Sequence, residues 1–202
     1  MICIKNVSYN INDKEIIKNV SLNIDSKGTT TFMGANGAGK TTLLKLIANI
    51  IKPTSGHITF LNKKNRRKIG FLFQNHIFLN RSVKDNLLHC IYCNNNTYAE
   101  NIKIIKNILD QFNLIKYLSI NINELSLGEK QCISLIRSLI NDPEILFLDE
   151  PFNNLDEYYK KYSKDLLKNY SENKKIILIA HSNEDALFFS NDIVFISNGK
   201  IV

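Results

Sequence analysis

The segment at residues 34–42, GANGAGKTT, combines glycines, a lysine and hydroxyl side chains at a spacing that suits phosphate binding. The pattern G-x-x-x-x-G-K-[ST] is matched by Gly34, Gly39, Lys40 and Thr41. Glycines let backbone N–H groups surround phosphate oxygens, and a helix N-terminus adds donors and a positive dipole end. Lys40 is expected to reach the terminal phosphates, and the Thr41 hydroxyl to bind Mg²⁺. A glycine turn with a solvated lysine is the alternative, which the flanking strand-like and helical runs disfavour.

A second group of candidate residues follows the apolar run EILFL, at Asp149 and Glu150. The sheets of α/β proteins bind ligands at the carboxyl ends of their strands, where this pair would lie. Asp149 would hold the metal, largely through water, and Glu150 could orient or deprotonate an attacking water. Alone, the pair could merely begin a turn before Pro151. With the glycine loop it predicts nucleotide hydrolysis.

The elements that must position these residues follow from the spacing of the apolar side chains. Short strand-like runs at residues 2–9, 20–24 and 29–33, separated by polar turns, predict a β-rich start. From Thr41 the apolar residues recur at helical spacing until Pro53 and Gly56 stop the pattern. The runs HITFL and KIGFLF predict two further strands, and Ser82 with Asp85 predicts a capped helix reaching about Tyr92.

The rest of the chain is predicted to be helical to about residue 139 and then to alternate. One middle helix carries the apolar stripe Ile104, Ile105, Ile108, Leu109 and Phe112. Three strands, EILFLDE, KIILIAH and DIVFIS, alternate with helices at about residues 155–170 and after Ser182. Near-continuous apolar strands that alternate with helices indicate a parallel sheet covered on both faces. The helical stretch, at about residues 76–140, is then an inserted lobe within a single domain across residues 1–202.

Composition and charge narrow the function classes. The 202 residues are 44% hydrophobic and 22% charged, which is ordinary for a globular protein. No apolar run approaches the roughly 20 residues needed to cross a bilayer, and no secretion signal opens the chain, so a cytosolic location is expected. The net charge of +7 is compatible with a nucleic-acid partner. Since the basic residues are spread out, and the densest cluster at residues 62–68 suits a solvated turn, nucleic-acid binding is not expected.

The four cysteines are expected to be reduced in such a setting. Cys90 and Cys93, even with His89 beside them, lack a second ligand pair at metal spacing. Neither metal binding by cysteine nor redox chemistry is therefore expected.

The segment LSLGEKQ at residues 125–131 resembles the signature sequence of ATP-binding cassette (ABC) ATPases, usually L-S-G-G-Q followed by a helix. It lies shortly before the acidic strand end, as in that family, and the resemblance covers essentially the whole chain. Tyr9 resembles the aromatic residue that stacks on adenine, and Gln74 resembles the Q-loop glutamine that reaches metal and water. Asp156 ends a segment similar to the D-loop, and His181 resembles the switch histidine that contacts the γ-phosphate.

The resemblance implies a P-loop NTPase with a mainly parallel core sheet, an N-terminal antiparallel β portion and an inserted helical lobe. Its implied cofactors are ATP and Mg²⁺. Catalytic roles are expected for Lys40, Gln74, Glu150 and His181, and metal binding for Thr41, Gln74 and Asp149. Nucleotide binding is expected for Tyr9, Gly34, Ala35, Asn36, Gly37, Ala38, Gly39, Lys40, Thr41, Thr42, Ser126, Gly128, Glu129 and Asp156.

The family's assembly adds expected partners. Cassette ATPases pair head to tail, and each signature loop closes over the nucleotide of its mate. A homodimer on ATP binding is therefore implied, in which Ser126 and the Gly128 N–H contact a γ-phosphate. A transmembrane permease is expected to dock near residues 74–87. The alternative is that these residues form an ordinary loop and capped helix without a docking role. With the permease docked, the subunit would lie on the inner face of the cell membrane.

The segment FLNRSVKDNL is similar to small importer ATPases for oxyanions such as tungstate, which would also use a solute-binding protein. An exporter ATPase is an alternative, as is a soluble cassette protein acting on ribosomes or nucleic acid. The single glycine loop and the short separation of Lys40 from Ser126 disfavour the soluble alternative.

Three residues depart from the family's pattern. Leu127 stands where glycine is usual, and because leucine resists positive φ, the signature-loop geometry and the closing affinity are both left open. Glu129 replaces glutamine, and Cys132 replaces arginine, although Arg137 remains further along the helix. Since the catalytic residues are intact, a working ATPase is expected rather than a non-hydrolysing structural partner.

Overall fold

The computed structural model describes residues 1–60, 69–91 and 96–202 of the chain. An N-terminal antiparallel sheet is formed by β1 (Ile2–Ile11), β2 (Lys14–Ile24) and β4 (Ser55–Phe60), with β1 in the middle. β1 and β2 form a hairpin whose turn residues, Asn12 and Asp13, have φ of 44° and 64°. Positive φ at both positions is the requirement of a type I′ turn, which asparagine and aspartate tolerate.

The core sheet contains the other strands, β3 (Gly28–Met33), β5 (Ile69–Leu72), β6 (Ile145–Asp149), β7 (Lys175–Ile179), β8 (Asp192–Ser197) and β9 (Lys200–Ile201). Their order is β5-β6-β7-β3-β8-β9. All neighbours pair in parallel except β8 and β9, which form an antiparallel hairpin. The carboxyl ends of β3, β5, β6 and β7 therefore meet at one edge, which brings together the segments that follow them.

The helices are α1 (Lys40–Ile47), α2 (Val83–Leu88), α3 (Tyr98–Gln111), α4 (Leu127–Leu139), α5 (Glu157–Ser171) and α6 (Asn183–Phe189). Short 3₁₀ turns lie at Ile115–Tyr117 and Ile122–Glu124. A side chain caps the start of every helix after α1: Ser82, Thr97, Ser126, Asp156 and Ser182. Such caps satisfy backbone N–H groups that the first turn leaves unpaired. In the described part of the chain, no helix is both long and apolar enough to cross a bilayer.

Two hydrophobic clusters cover the two faces of the core sheet. Along β6, Ile145 and Phe147 pack with α1 and the N-terminal sheet, whereas Leu146 and Leu148 pack with α3 and α4. All four side chains are nearly inaccessible to solvent. A strand buried on both faces needs apolar residues at successive positions, which is why EILFL does not alternate with polar residues.

The predicted α/β fold with a mainly parallel core sheet and an N-terminal antiparallel sheet is confirmed. Two predicted boundaries were wrong. β2 begins at Lys14 rather than at residue 20, because backbone pairing with β1 continues through irregular positions, where Asn6 and Asn19 take positive φ. α2 ends at Leu88, before the predicted end near Tyr92. Tyr92, Cys93 and the basic cluster at residues 62–68 lie outside the described residues.

Candidate functional site

The glycine loop connects β3 to α1 at the carboxyl edge of the core sheet. Gly34, Gly37 and Gly39 have φ of 145°, 77° and 104°. A Cβ at Gly34 would lie 2.1 Å from the carbonyl oxygen of Ile196 on β8, so no larger residue fits there. The loop therefore has the backbone geometry that a phosphate cradle requires.

The first turn of α1 and the adjacent lysine complete this loop. Gly39 occupies the N-cap position, and no side chain within the described ranges caps the helix. Lys40 is buried, and its Nζ donates hydrogen bonds to the carbonyl oxygens of Gly34 at 2.8 Å and Ala35 at 3.0 Å. The ammonium group is thus held against the loop, beside backbone donors that have no capping side chain.

Thr41 and Asp149 form a pair between the start of α1 and the end of β6. The Thr41 hydroxyl donates to Asp149 Oδ1 at 3.3 Å, and the aspartate is almost completely buried. Burial raises the pKa of Asp149, and the hydrogen bond from Thr41 opposes this rise only in part. A buried carboxylate beside a hydroxyl is a ligand set that suits Mg²⁺, whose charge would offset the cost of burying the aspartate.

Glu150 gathers the side chains that follow three neighbouring strands. Its Oε2 accepts a hydrogen bond from Gln74 Nε2 at 3.2 Å, after β5, and another from Asn153 Nδ2. Its Oε1 contacts His181 Nε2, after β7. The Glu150 side chain is only 10% exposed and its φ is 55°. The predicted Gln74, Glu150 and His181 therefore lie together, as the parallel strand order requires.

A cavity of about 360 Å³ lies in front of these groups. It is lined by Ile16, Asn36, Gly37, Gly39, Lys40, Thr41, Thr42, Gln74 and Glu150. The volume lies at the lower end of the range for small-molecule sites. Backbone donors, one ammonium group and two hydroxyls on one side, with a carboxylate opposite, fit a nucleotide triphosphate bound with its metal.

Tyr9 lies on β1, opposite Ile17 of β2, and is partly buried. The neighbouring Ile16 lines the cavity, so β2 brings this part of the hairpin to the site. Ile16 was missed from the sequence because an isoleucine on a strand cannot be distinguished from a core residue by its type. The adenine-stacking role of Tyr9 stays a prediction.

The signature segment forms the exposed start of α4. Ser126 Oγ accepts from the Glu129 N–H at 3.3 Å, and Glu129 Oε2 accepts from the Ser126 N–H at 2.8 Å and its hydroxyl at 2.9 Å. Leu127 is the first helical residue, is 68% exposed and does not take positive φ. Leucine therefore takes helical φ at this position, and its effect on closure of the loop stays a prediction.

Gly128 and Asp156 are connected through the segment before α5. A Cβ at Gly128 would lie 2.7 Å from the Asn154 carbonyl oxygen, so this close approach requires glycine. Asp156 caps α5, where its Oδ1 accepts from the Tyr159 N–H at 2.8 Å. Ser126, Gly128, Glu129 and Asp156 thus lie near one another, apart from the cavity, whose described lining includes none of them.

Three further polar contacts were not predicted from the sequence. Asn153 donates to Glu150, and buried Gln131 accepts from His76 Nε2 and donates to the Pro151 carbonyl oxygen. Burial lowers the pKa of His76, which favours its neutral form at pH 7. A lone Asn, Gln or His carries no sequence signal of such a partner, and Gln131 is also distant along the chain from His76 and Pro151.

A glycine loop between a parallel strand and a helix, with a buried Asp–Thr pair and a glutamate at an adjacent strand end, defines a P-loop nucleotide-binding protein. Comparison with known proteins specifies the family. The model of the ABC transporter family matches residues 17–153, which is more than half of the chain.

Curated relatives agree with this match. The spermidine/putrescine import ATP-binding proteins PotA of two Legionella pneumophila strains, Philadelphia 1 and Lens, are each 32% identical over 98% of the chain. Since the match covers 53% of each relative, the chain spans about half the length of the curated relatives it matches. The chain belongs to the ABC transporter family.

Solved structures show the same fold over the whole chain. The dimeric post-hydrolysis structure of the ATP-binding cassette MJ0796, bound to ADP and Pi, superimposes with a TM-score of 0.88 at 28% identity, covering 100% of this chain and 96% of that one. The cassette cbiO1 from Clostridium perfringens gives a TM-score of 0.82 at 26% identity, covering 100% of this chain and 86% of that one.

Proposed function

We propose that this chain is the ATP-binding and ATP-hydrolysing subunit of an ABC transporter, which works as a head-to-tail dimer and drives a separate permease. Residues 1–202 would form one ATPase domain, with its helical lobe at about residues 76–140. The observation that carries the proposal is the convergence of Gln74, Asn153 and His181 on the Glu150 carboxylate, beside the glycine loop. Three strand ends supply these groups next to one phosphate-sized cradle.

The proposed chemistry assigns each group a task. Backbone N–H groups of residues 34–42 and Lys40 bind the phosphates, for which the lysine would exchange its two loop carbonyl partners. Glu150 accepts a proton from the attacking water, and Gln74 and His181 hold the carboxylate in place. Thr41, Gln74 and Asp149 would hold Mg²⁺, which supplies positive charge against the terminal phosphates when bound. Tyr9 would stack on the base.

The dimer is supported by the exposure of the signature segment and by the relatives. Ser126 and Leu127 are open to solvent at the start of α4. MJ0796, which this chain resembles, is described as a dimeric bacterial ABC transporter cassette. In the proposed pair, Ser126, Gly128 and Glu129 face the nucleotide held by the other subunit, and Asp156 lies at the same interface.

A permease is proposed to dock at the groove beside Gln74. A second cavity, of about 320 Å³, is lined by Thr41, Lys45, Phe73, Gln74, Asn75, Ile77, Arg137 and Asp149. Ile77 is 83% exposed, and Phe73 and Leu79 are each 39% exposed. Apolar side chains exposed next to a cleft are typical of a protein interface. Docking there would hold the subunit on the inner face of the cell membrane.

We further propose import as the direction of transport, with a solute-binding protein as an additional partner. The PotA relatives are named for spermidine and putrescine import, which supports import but concerns cationic substrates. The resemblance of the segment after Gln74 to oxyanion importers stays a prediction. Uptake assays with this chain and a co-expressed candidate permease would distinguish polyamines from oxyanions such as tungstate.

The central experiment replaces Glu150 with glutamine. Glu150→Gln is expected to slow steady-state ATP turnover by about 10²- to 10⁴-fold, because the amide cannot accept the proton of water. Binding of a fluorescent ATP analogue is expected to survive, since the glycine loop is unchanged. Glu157→Gln, an exposed substitution on α5, is the matched control. Turnover that stays at the wild-type rate in Glu150→Gln would remove Glu150 from the proposed role.

A further inference from the structure

Helix α4 contributes a buried amide to the proposed ATPase site. Gln131 is 2% exposed, and its Nε2 donates to the Pro151 carbonyl oxygen at 2.8 Å and lies 3.5 Å from that of Glu150. Its Oε1 accepts from His76 Nε2. One side chain thus joins the backbone of the Glu150 turn to the segment that follows Gln74.

The chemistry of the partners determines how this amide is oriented. The Pro151 carbonyl oxygen can only accept, so the NH₂ group of Gln131 must face it. The amide oxygen is left for His76, whose Nε2–H must donate. Turning the amide over would set two carbonyl oxygens against each other, so breaking either contact weakens the support of the other.

Glu150 needs such support. Its φ of 55° lies in the left-handed region, which is unfavourable for a residue with a side chain. The direction of its carboxylate depends on that backbone conformation, and Gln131 holds the carbonyl groups on the far side of the turn. The segment of residues 74–76 therefore reaches Glu150 by two routes, through the Gln74 amide and through His76 and Gln131.

The same helix also holds the next residues of that segment. Arg137 donates from Nη1 to the Ile77 carbonyl oxygen at 2.7 Å, and its guanidinium lies 4.8 Å from the centre of the Phe78 ring. The Ile77 side chain, in contrast, is exposed and lines the groove proposed for the permease. Residues 76–78 thus lie between a docking surface and α4.

The geometry points to Gln131 as a positioning residue that holds Glu150 in its working conformation and makes that conformation depend on residues 76–78. This inference rests on the proposed function of Glu150. It provides a mechanical link by which a permease that moves Ile77 would shift His76, then the Gln131 amide and then the catalytic turn.

The test measures ATP turnover by the 202-residue chain and its variants. Gln131→Leu removes both hydrogen bonds and is expected to lower kcat by about 10- to 100-fold, as a small displacement of a catalytic group does. The KM for ATP is expected to stay within about 2-fold, since the glycine loop is untouched. Ser134→Ala is the matched control, because Ser134 is buried on the same helix and its Oγ has no hydrogen-bond partner among the described residues.

Two combinations separate positioning from general stability. In the Glu150→Gln background, Gln131→Leu is expected to cause no further loss, because the group that it positions is already disabled. His76→Leu is expected to lower kcat in the same direction by a smaller factor. His76→Gln is expected to restore the rate, since its amide N–H can donate to the same oxygen.

Each outcome bears on one of the two proposals. Wild-type kcat in a folded Gln131→Leu variant, or a full additional loss in the Glu150→Gln background, would overturn the link. If Gln131→Leu does not fold, Gln131→Glu is measured instead, since it keeps the acceptor for His76 but loses the donor to Pro151. A wild-type kcat in that variant would also overturn the link. A wild-type chain that does not hydrolyse ATP would overturn the proposed function instead.

Discussion

The starts of α1 and α4 show two different states of a helix N-terminus in one molecule. At α1 the N-cap is Gly39, and within the described ranges no side chain bonds to the first turn. At α4 Ser126 and Glu129 form a complete capping box. The first helix start has no side-chain cap beside its lysine, whereas at the second the capping box pairs the N–H groups of Ser126 and Glu129.

This difference indicates that the two helix starts have different roles in the proposed head-to-tail dimer. The glycine loop has no capping side chain among the described residues, which suits its proposed role of binding nucleotide within one chain. In the signature segment the Ser126 hydroxyl is bonded to Glu129, so Ser126 must exchange that bond before it can donate to a phosphate. Closure of the dimer is therefore expected to be the weaker and more readily adjusted step.

Between the two helix starts, the larger expected effect concerns the glycine loop before α1. Lys40→Met is expected to lower ATP turnover by about 10²- to 10³-fold. The substitution removes the positioned Lys40 ammonium group, which would stabilise the negative charge that develops on the phosphates in the transition state. Steady-state turnover and titration with a fluorescent ATP analogue measure the effect. Lys106→Met on the exposed face of α3 is the control, and equal turnover in both variants would contradict the assignment.

A smaller effect is expected at the signature segment. Ser126→Ala in the Glu150→Gln background is expected to weaken ATP-driven dimerisation by about 10- to 100-fold, the value of one hydrogen bond to a charged group. Light scattering against protein concentration measures it. Since Ser126 also caps α4, thermal unfolding of the monomer must be recorded as well. A variant that loses thermal stability but dimerises as before would leave Ser126 with a capping role alone.

The charge of Glu129 is expected to matter less. Glu129→Gln keeps the hydrogen bonds of the capping box and removes a negative charge that faces the γ-phosphate in the proposed dimer, so dimerisation is expected to tighten by about 2- to 10-fold. Burial alone would raise the pKa of Glu129. Hydrogen bonds from Tyr117 and Ser126 outweigh this effect and hold that pKa below its ordinary value. The ionised cap thus stabilises α4 above about pH 4.5, and this contribution is lost as the pH falls through the lowered pKa. If dimerisation is unchanged in the glutamine variant, the charge of Glu129 has no effect on closure of the dimer.

The smallest effect is expected at Leu127. Because this residue takes helical φ, Leu127→Gly gives the loop no conformation that it needs, and it costs at most about 1 kcal/mol of stability. ATP-driven dimerisation measured beside thermal unfolding checks this. Tighter dimerisation in the glycine variant would show that the closed state requires a backbone conformation that leucine resists.

Much of the fold followed from local patterns. The Ser82 cap and the apolar spacing predicted helices and buried strands, because both signals depend on residues a few positions apart. β2 was the exception, since its polar first half is held by pairing with β1 rather than by its own apolar pattern. The grouping of Gln74, Glu150 and His181 needed the family resemblance, which supplied their order, and the parallel sheet then brings them within contact.

The sequence by itself determined the glycine loop, because its glycines, lysine and threonine follow a fixed local spacing. It also determined that a carboxylate pair ends a buried strand. Only the tertiary structure decided which groups surround that pair, since His76 and Gln131 are distant from it along the chain and meet where β5, β6 and α4 pack. Hydrogen bonds act over about 3 Å, so partners of this kind are defined by packing and not by sequence spacing.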